Sequence, residues 1–562
     1  MNTQKNINIK QPNSTLQEKL SQELSISRIL AQVLINRGIE TAEDGAKFLN
    51  PNLEDLLSPW QLKGIKQAVE RIRKAAQNKH KTLIFGDYDV DGITSVALLK
   101  IHLEHLGLPV VHYIPHRIDE GYGLNTGILK IAKQAEVKLI ITVDCGINSY
   151  SLVEKLQKQG IDVIVTDHHE PGDKIPPAVA VINPKQKDCP YPYKQLSGVG
   201  VVFKLVQAFT NEKLWQDLDL VALGTIADRC VLNGENRIMA KEGLRLLSTC
   251  PRPGIEALIV ASGIKKERPI ETSSVGFILG PRINASGRVS RADSALELLL
   301  SKSAGEAEEL AKLLNSHNRR RQKIEAGVLR EVNDLIDKEI NFQEHSVIVV
   351  SGQDWHLGVL GIVASKLMDK FYRPVVLISE GENLCRGSAR SIKDFSIFQA
   401  LSHCSQHLED FGGHKYAAGL VISKQNIQDF RRDINSFASQ TLLKQHLKPS
   451  IDTDGQVCLF DLNLDIVREL NSLEPFGTGN PQPLFYASGL RLRDEPRVLA
   501  RDTLKFWVTD EQRTYQVIAF GQAYLEAGLK QADELDLVFR PKIDNWQGNQ
   551  DLILQAQEII FR

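Results

Sequence analysis

Two α/β lobes joined by a long helix and followed by a small β-barrel is the architecture this sequence predicts. Three observations carry that expectation. Short apolar, β-branched runs alternate with amphipathic stretches between Thr82 and Asn183; a charged segment poor in helix breakers follows Ser303; and closely spaced strand-like runs fill the chain beyond Ile451.

In the first lobe the strand candidates are "TLIFG", "VVHYI", "VKLIITV", "IDVIVT" and "AVAVIN", with helical patterns such as "ITSVALLKIHLEHLG" and "SLVEKLQKQG" between the first four. Continuous apolar strands separated by helices of that length imply a parallel sheet covered on both faces. Next, "SAGEAEELAKLLNSHNRRRQKIEAGVLREVNDLIDKEI" carries apolar residues at Leu310, Leu313, Leu314, Ile324, Val328, Val332, Leu335 and Ile336, which predicts the joining helix. Its triplet Arg319-Arg320-Arg321 reads by default as a solvated face. A second α/β pattern follows in "HSVIVVSG", "VLGIVASKLMDKF" and "RPVVLISEG". The runs "LKFWVTD", "TYQVIAFG", "ELDLVFRPKID" and "DLILQAQEI" then suggest a small barrel. The expected division is an N-terminal extension over 1–50, a first α/β domain over 51–303, a connecting helix over 304–341, a second α/β domain over 342–447 and the barrel over 448–562. The first twenty or so residues, being polar, are expected to be mobile.

Composition bounds the function classes. At 562 residues the chain is too long for a single core. A net charge of −1 gives no global attraction to nucleic acid or membrane, so a polyanion site must be a local patch. Seven scattered cysteines with no Cys-x-x-Cys pair point to neither a disulfide framework nor a zinc knuckle, and fit a reducing cytoplasm. The N-terminus lacks the apolar core of a signal peptide, and no run approaches the length of a membrane span.

The chemistry concentrates at strand ends. In "LIFGDYDVDGITS" (Leu83–Ser95), Asp87, Asp89 and Asp91 alternate, so they would share one side if the strand continued. Like charges so close need a counter-cation or a proton. "LIITV" ends in Asp144, "DVIVT" in Asp167-His168-His169, and the helical run "WQDLDLVALGTIAD" in Asp228. An Asp after a strand is ordinarily a turn former or helix N-cap. Their coincidence at several ends points instead to a site of Asp89, Asp91, Asp144, His168 and Asp228. Oxygen and imidazole donors suit manganese, magnesium or zinc, and the number suits two ions about 3.5–4 Å apart, a geometry that hydrolyses phosphate esters. Cys145 beside Asp144 has no identifiable base partner and reads as a small buried residue. "RGSARS" (Arg386–Ser391) offers guanidinium and hydroxyl donors suited to a terminal phosphate.

"GDYDVDG", "TVDCGI", "TDHH" and "VALGTIAD" resemble, in order and spacing, the leading motifs of the Asp-His-His (DHH) phosphoesterase superfamily. "PHRIDEGYGLN", "GPRINASGR", "LNSHNRRRQ", "WHLGVLGIVASKL", "RGSARS", "FGGHKYAAG" and "PFGTGNPQP" narrow the resemblance to RecJ-type single-strand-specific exonucleases. The resemblance implies a DHH domain, a DHHA1 domain and an OB-fold, and two Mn2+ or Mg2+ ions held by Asp89, Asp91, Asp144, His168 and Asp228, with Asp144 bridging. His169 and His414 are implied beside the scissile phosphate. Arg117, Tyr122, Ser388 and Arg390 are implied at the 5′ end, and Arg282, Asn284, His356, Arg386, Gly412 and Gly413 elsewhere along the substrate. Phe85 departs from the wider superfamily, whose small pyrophosphatases carry a metal-binding histidine there; Asp87 is the candidate to compensate.

The function so implied is 5′→3′ hydrolysis of single-stranded DNA to mononucleotides, in repair and recombination. The expected protein is a cytoplasmic monomer, with a single-strand-binding protein and a helicase as partners. Trp507, Phe506 and Trp546 are candidates for stacking on bases, although a barrel aromatic is more often core. The alternatives are a phosphodiesterase acting on short oligonucleotides or cyclic dinucleotides, whose known members are smaller and lack a barrel, and a non-catalytic scaffold, which has no physical need for clustered carboxylates.

Overall fold

The computed structural model describes residues 5–121, 123–265, 267–546 and 549–562. The chain divides into two units, one of residues 57–230 and 242–449, the other of residues 5–56, 231–241 and 450–562.

Among the described residues, the first unit holds two five-stranded sheets. One is wholly parallel, in the order Val110–Tyr113, Thr82–Gly86, Leu139–Val143, Asp162–Thr166, Ala180–Ile182. These are the five runs expected from sequence. Thr82–Gly86 and Leu139–Val143 are buried at every position, because helices cover both faces and leave no solvent side to alternate toward. The first strand of this sheet in chain order, Thr82–Gly86, lies between the second and the third, so strand order reverses beside it. That is where an open α/β sheet leaves a crevice beyond its carboxyl ends.

The 36-residue helix Ala304–Glu339 is the predicted connector. Its arginine triplet divides: Arg319 and Arg320 are exposed, whereas Arg321 is buried and donates to Asn318 Oδ1 and Glu325 Oε2. Beyond it, Ile348–Gln353 runs parallel to Val375–Glu380, and Leu384–Arg390, Ala417–Ser423 and Leu408–His414 complete the second sheet by antiparallel pairing. Register sets Ser388 between Leu377 and Gly419, and Arg390 between Val375 and Ala417.

In the second unit, Phe485–Leu492, Leu535–Trp546, Asn549–Phe561, Thr514–Ala519 and Thr503–Thr509 pair in succession. A further pairing of Phe485–Leu492 with Thr503–Thr509 returns the ring to its start, as an OB-fold requires. Phe506 is buried in its core and Trp507 is half-exposed; the Trp546 side chain lies outside the described residues.

The expectation of a mobile N-terminus is corrected here. Asn6–Ile9 pairs in parallel with Ser450–Thr453, and the helix Arg28–Asn36 places Leu30, Val33 and Leu34 in one core with Leu459, Leu470, Leu504 and Phe539. The strand, Asn-Ile-Asn-Ile, is only four residues long, too short for its alternation to stand out in a polar stretch, and its partner is supplied by the far end of the chain.

The same unit takes in Arg237, only 1% exposed. Its guanidinium donates to the carbonyl oxygens of Phe48, Ser472, Leu473, Glu474 and Pro475, and stands 4.0 Å over the Phe48 ring. Among the described residues, no helix is long and apolar enough to cross a membrane.

Candidate active site

The strand Thr82–Gly86 stops before the acidic run, so the shared face expected of Asp87, Asp89 and Asp91 is not how they converge. Asp89 caps the helix Val90–His105, accepting from the Gly92 N–H at 3.1 Å, and Asp91 lies in that helix's first turn. Both oxygens of Asp91 accept from a second helix N-terminus, at Gly198 N (2.7 Å) and Val199 N (2.8 Å). Each N-terminus offers orphan N–H groups and a positive dipole end, which steadies carboxylates crowded together.

Asp144 leaves the Leu139–Val143 strand in the left-handed region at φ 60°, its turn fixed by a hydrogen bond from Thr142 Oγ1 to the Cys145 carbonyl. Two glycines make room. A Cβ at Gly198 would stand 2.6 Å from Asp144 Oδ1, and one at Gly224 2.8 Å from Asp91 Oδ1.

Asp167, fully buried, organises the histidine pair. It accepts from the backbone N–H groups of Ile147, His168 and His169 and meets His169 Nδ1 at 2.7 Å. His168 is thereby turned inward. Its Nε2 makes no hydrogen bond, yet lies 3.1 Å from Asp144 Oδ1, 3.7 Å from Asp228 Oδ2 and 3.8 Å from Asp91 Oδ2.

Three overlapping sets of side chains bring potential ligand atoms together: Asp87, Asp89 and Asp144; Asp144, His168 and His169; and His168, Asp228 and Cys230. Asp144 belongs to two of them. Asp87 joins with an oxygen that is buried and has no hydrogen-bond partner, while Phe85 is core, packed on Tyr113.

The electrostatics ask for cations. Burial, then repulsion among the carboxylates, holds Asp87, Asp91 and Asp144 well above the ordinary range and pushes Asp228 up to about 6. Burial and the neighbouring His169 charge depress His168 to about 3, keeping it in the neutral form that ligates. Burial works against a charged His169 as well, but Asp167 outweighs it and His169 rises to about 9. Cys145 is fully buried and its thiol is pushed far up by burial, so it supplies no nucleophile.

Beside the carboxylates lies a cavity of about 700 Å³, lined among others by Tyr88, Arg117, Gly358, Arg386, Ser388 and Gly412. Arg117 stacks 4.6 Å over Tyr88, the residue between Asp87 and Asp89. Arg390 Nη1 donates to Ser388 Oγ and the Ala389 carbonyl. Arg288 donates to the Gly358 carbonyl, and burial followed by the charges of Arg117, Arg321 and Arg390 lowers it to about 9. Guanidinium groups that repel one another beside an open cavity suit an anion.

Other expected residues fall around this centre. Arg282 is engaged by Ile278 O and Asn315, Asn284 buries an oxygen without a hydrogen-bond partner, and His356 caps the helix Leu357–Phe371. His414 is exposed at the end of Leu408–His414, outside the three converging sets, with Gly413 at φ 144° against the Ala417 and Ala418 backbone. Tyr122 lies outside the described residues. Sequence reasoning passed over Asp167, Arg288 and Cys230. Asp167 and Arg288 stand inside "TDHH" and "GPRINASGR", and Cys230 lies two residues past the run that ends in Asp228.

Comparison with known proteins gives the lineage. Residues 81–225 match the DHH family, N-terminal domain; 344–440 match the DHHA1 domain; and 453–558 match the RecJ OB domain. The single-stranded-DNA-specific exonuclease RecJ of Haemophilus influenzae is 37% identical over 544 residues, covering 91% of this chain and 93% of the relative. The chain belongs to the RecJ family. The RecJ protein of Bacillus subtilis is 38% identical over 541 residues, 96% of this chain and 68% of its own. The crystal structure of RecJ from Thermus thermophilus in complex with Mn2+ superposes with a TM-score of 0.83 at 31% identity, covering 99% of this chain and 79% of that one.

Proposed function

We propose that this chain is a single-stranded-DNA-specific 5′→3′ exonuclease that releases 5′-mononucleotides by two-metal hydrolysis of phosphodiesters. The observation that carries the reading is a set of converging, mutually repelling carboxylates, most of them buried, and a neutral imidazole at the sheet's switch point, beside a cavity that Arg117 and Arg386 line together with Asp119, Glu120 and Asp410.

The donors fit Mn2+ or Mg2+, being chiefly carboxylate oxygens with one buried imidazole nitrogen that makes no hydrogen bond. Asp87, Asp89, Asp91, Asp144, His168 and Asp228 would hold the two ions, with Asp144 common to both. When bound, the ions supply an activated water and neutralise charge on the phosphoryl group. His169 takes another role. With Nδ1 engaged by Asp167, its Nε2 edge would donate to a phosphoryl oxygen. His414 would approach the same phosphate.

A terminal 5′-phosphate carries about −1.5 to −2 charges, and Arg117, Tyr122, Ser388 and Arg390 would take it, with Arg288 beside them, Arg386, His356, Gly412 and Gly413 around them, and Arg282 and Asn284 along the strand. Single-strand selectivity would be steric, a groove at this cavity of about 700 Å³ taking one strand where a duplex is too wide. The barrel, with Trp507 half-exposed, would add single-strand contacts. Partners such as a single-strand-binding protein and a helicase, a cytoplasmic location and a monomeric state belong to the same proposal, as does the domain division 51–303, 304–341, 342–447 and 448–562 with 1–50 preceding.

End-labelled single strands, duplexes and dinucleotides incubated with Mn2+ test the function. Mononucleotides released progressively from the 5′ end of single strands alone are expected; cleavage confined to dinucleotides would replace the reading with an oligonucleotide phosphodiesterase. Arg390→Ala should cost about tenfold or more in kcat/KM on 5′-phosphorylated strands, the scale of one charge-assisted hydrogen bond. Equal losses on 5′-hydroxyl strands would remove the pocket. Gly198→Ala should lower kcat about 100-fold by displacing Asp144, the scale of an ångström-sized misplacement; turnover within a factor of two would show that the close approach is dispensable.

A further inference from the structure

The helix Leu218–Ala227 ends in a closed Schellman turn. The Arg229 N–H bonds the Ile226 carbonyl and the Cys230 N–H bonds the Thr225 carbonyl, both at 3.1 Å, with Arg229 left-handed at φ 58°. The side chain two residues past such a cap ordinarily folds an apolar group back onto the helix. Here it is a thiol, and it turns toward the carboxylates: Cys230 Sγ donates to Asp228 Oδ2 at 3.2 Å. That oxygen is 3.7 Å from His168 Nε2, the nine-tenths-buried nitrogen that makes no hydrogen bond. Sulfur, nitrogen and oxygen donors from Cys230, His168 and Asp228 lie within 4.8 Å of one another.

Thiolate, imidazole and carboxylate in one cluster form the donor set of a tetrahedral, borderline-soft ion, whereas Mg2+ and Mn2+ seek oxygen. We propose that Cys230 converts this side of the metal centre into a site for a thiophilic divalent cation, Zn2+ or Cd2+, held by Cys230 Sγ, His168 Nε2 and an Asp228 carboxylate oxygen, which competes with the hard ion and arrests hydrolysis. On ligation the S–H bond breaks, an S–metal bond forms and the proton leaves to solvent. The arrest follows from geometry. An ion with three protein donors in a tetrahedral shell withdraws His168 and Asp228 from the octahedral arrangement that the hard ions need. The inference rests on the metal-centre reading above.

The test uses the full-length, ion-free protein titrated with Cd2+ and followed by the near-ultraviolet thiolate-to-cadmium charge-transfer band. A band saturating at one equivalent is expected in the parent. Both Cys230→Ser and Cys230→Val, checked for native circular dichroism, should lose it, and His168→Ala should weaken it. Zn2+ should bleach the parent's band. Loss of the sulfur donor should weaken Zn2+ binding about 10–100-fold, the scale of losing one metal-site partner. Two results overturn the proposal: a one-equivalent band that survives in Cys230→Val, or a parent that shows no band while still binding Mn2+ by electron paramagnetic resonance. If neither Cd2+ nor Mn2+ binds, it is the metal-centre reading itself that fails.

Discussion

Asp144→Asn is expected to abolish hydrolysis of single strands, by at least about 1,000-fold, while making the ion-free protein more stable than the parent. The two effects share one cause. Asp144 contributes to two of the three converging ligand sets, so its loss takes a carboxylate from both of them. In the absence of cations the same carboxylate is buried and then repelled by Asp91, Asp89, Asp87 and Asp228, which raises it well above its ordinary range. A carboxyl whose folded value lies above its unfolded value favours folding at low pH, and that advantage is lost as pH rises through the folded value. The gain from the neutral isostere should therefore grow with pH, from near zero at and below the ordinary carboxylate range to on the order of 1–3 kcal/mol near pH 8. Thermal unfolding in chelator at pH 5 and pH 8 measures it, and addition of Mn2+ should reverse the order. A variant less stable than the parent at both pH values would refute the electrostatic account.

Arg237→Met is expected to destabilise the second unit by about 3–5 kcal/mol. The side chain fills its volume but leaves five carbonyl oxygens of residues 48 and 472–475 without their donor. Burial lowers the guanidinium to about 10, which leaves it charged at neutral pH, and its fork reaches oxygens in several directions at once. Arg237→Lys should recover little, because an ammonium cannot reproduce the fork. Urea denaturation followed at the barrel tryptophans reports the change. A midpoint shift worth less than about 1 kcal/mol would mean that water replaces the guanidinium there.

How much was legible in the sequence depends on the range of the interactions. The parallel sheet was readable because each strand, covered on both faces, declares itself as an uninterrupted apolar run, and Asp144 and His168 were readable from their place at the ends of such runs. Asp89 shows why the ordinary and the functional readings need not compete: it is a helix N-cap and also one of the converging carboxylates. Arg288 was missed because its meaning comes from Arg117, Arg321 and Arg390, which are distant in sequence. Arg321, by contrast, turned out to be engaged locally by Asn318 and Glu325. The role of residues 5–56 was hidden for the same reason as that of Arg288, since the surfaces they cover are written at the other end of the chain.

That arrangement bears on how the protein is made. Asn8 and Asp452 are hydrogen-bonded across a separation of 444 residues, so at about 5–20 residues per second a ribosome needs roughly 20 to 90 seconds to deliver the second strand after the first. Throughout that interval Leu30, Val33 and Leu34 lack the part of their core that residues beyond Ser450 contribute. A chain broken off before Ser450 would leave that face of Leu30, Val33 and Leu34 open permanently.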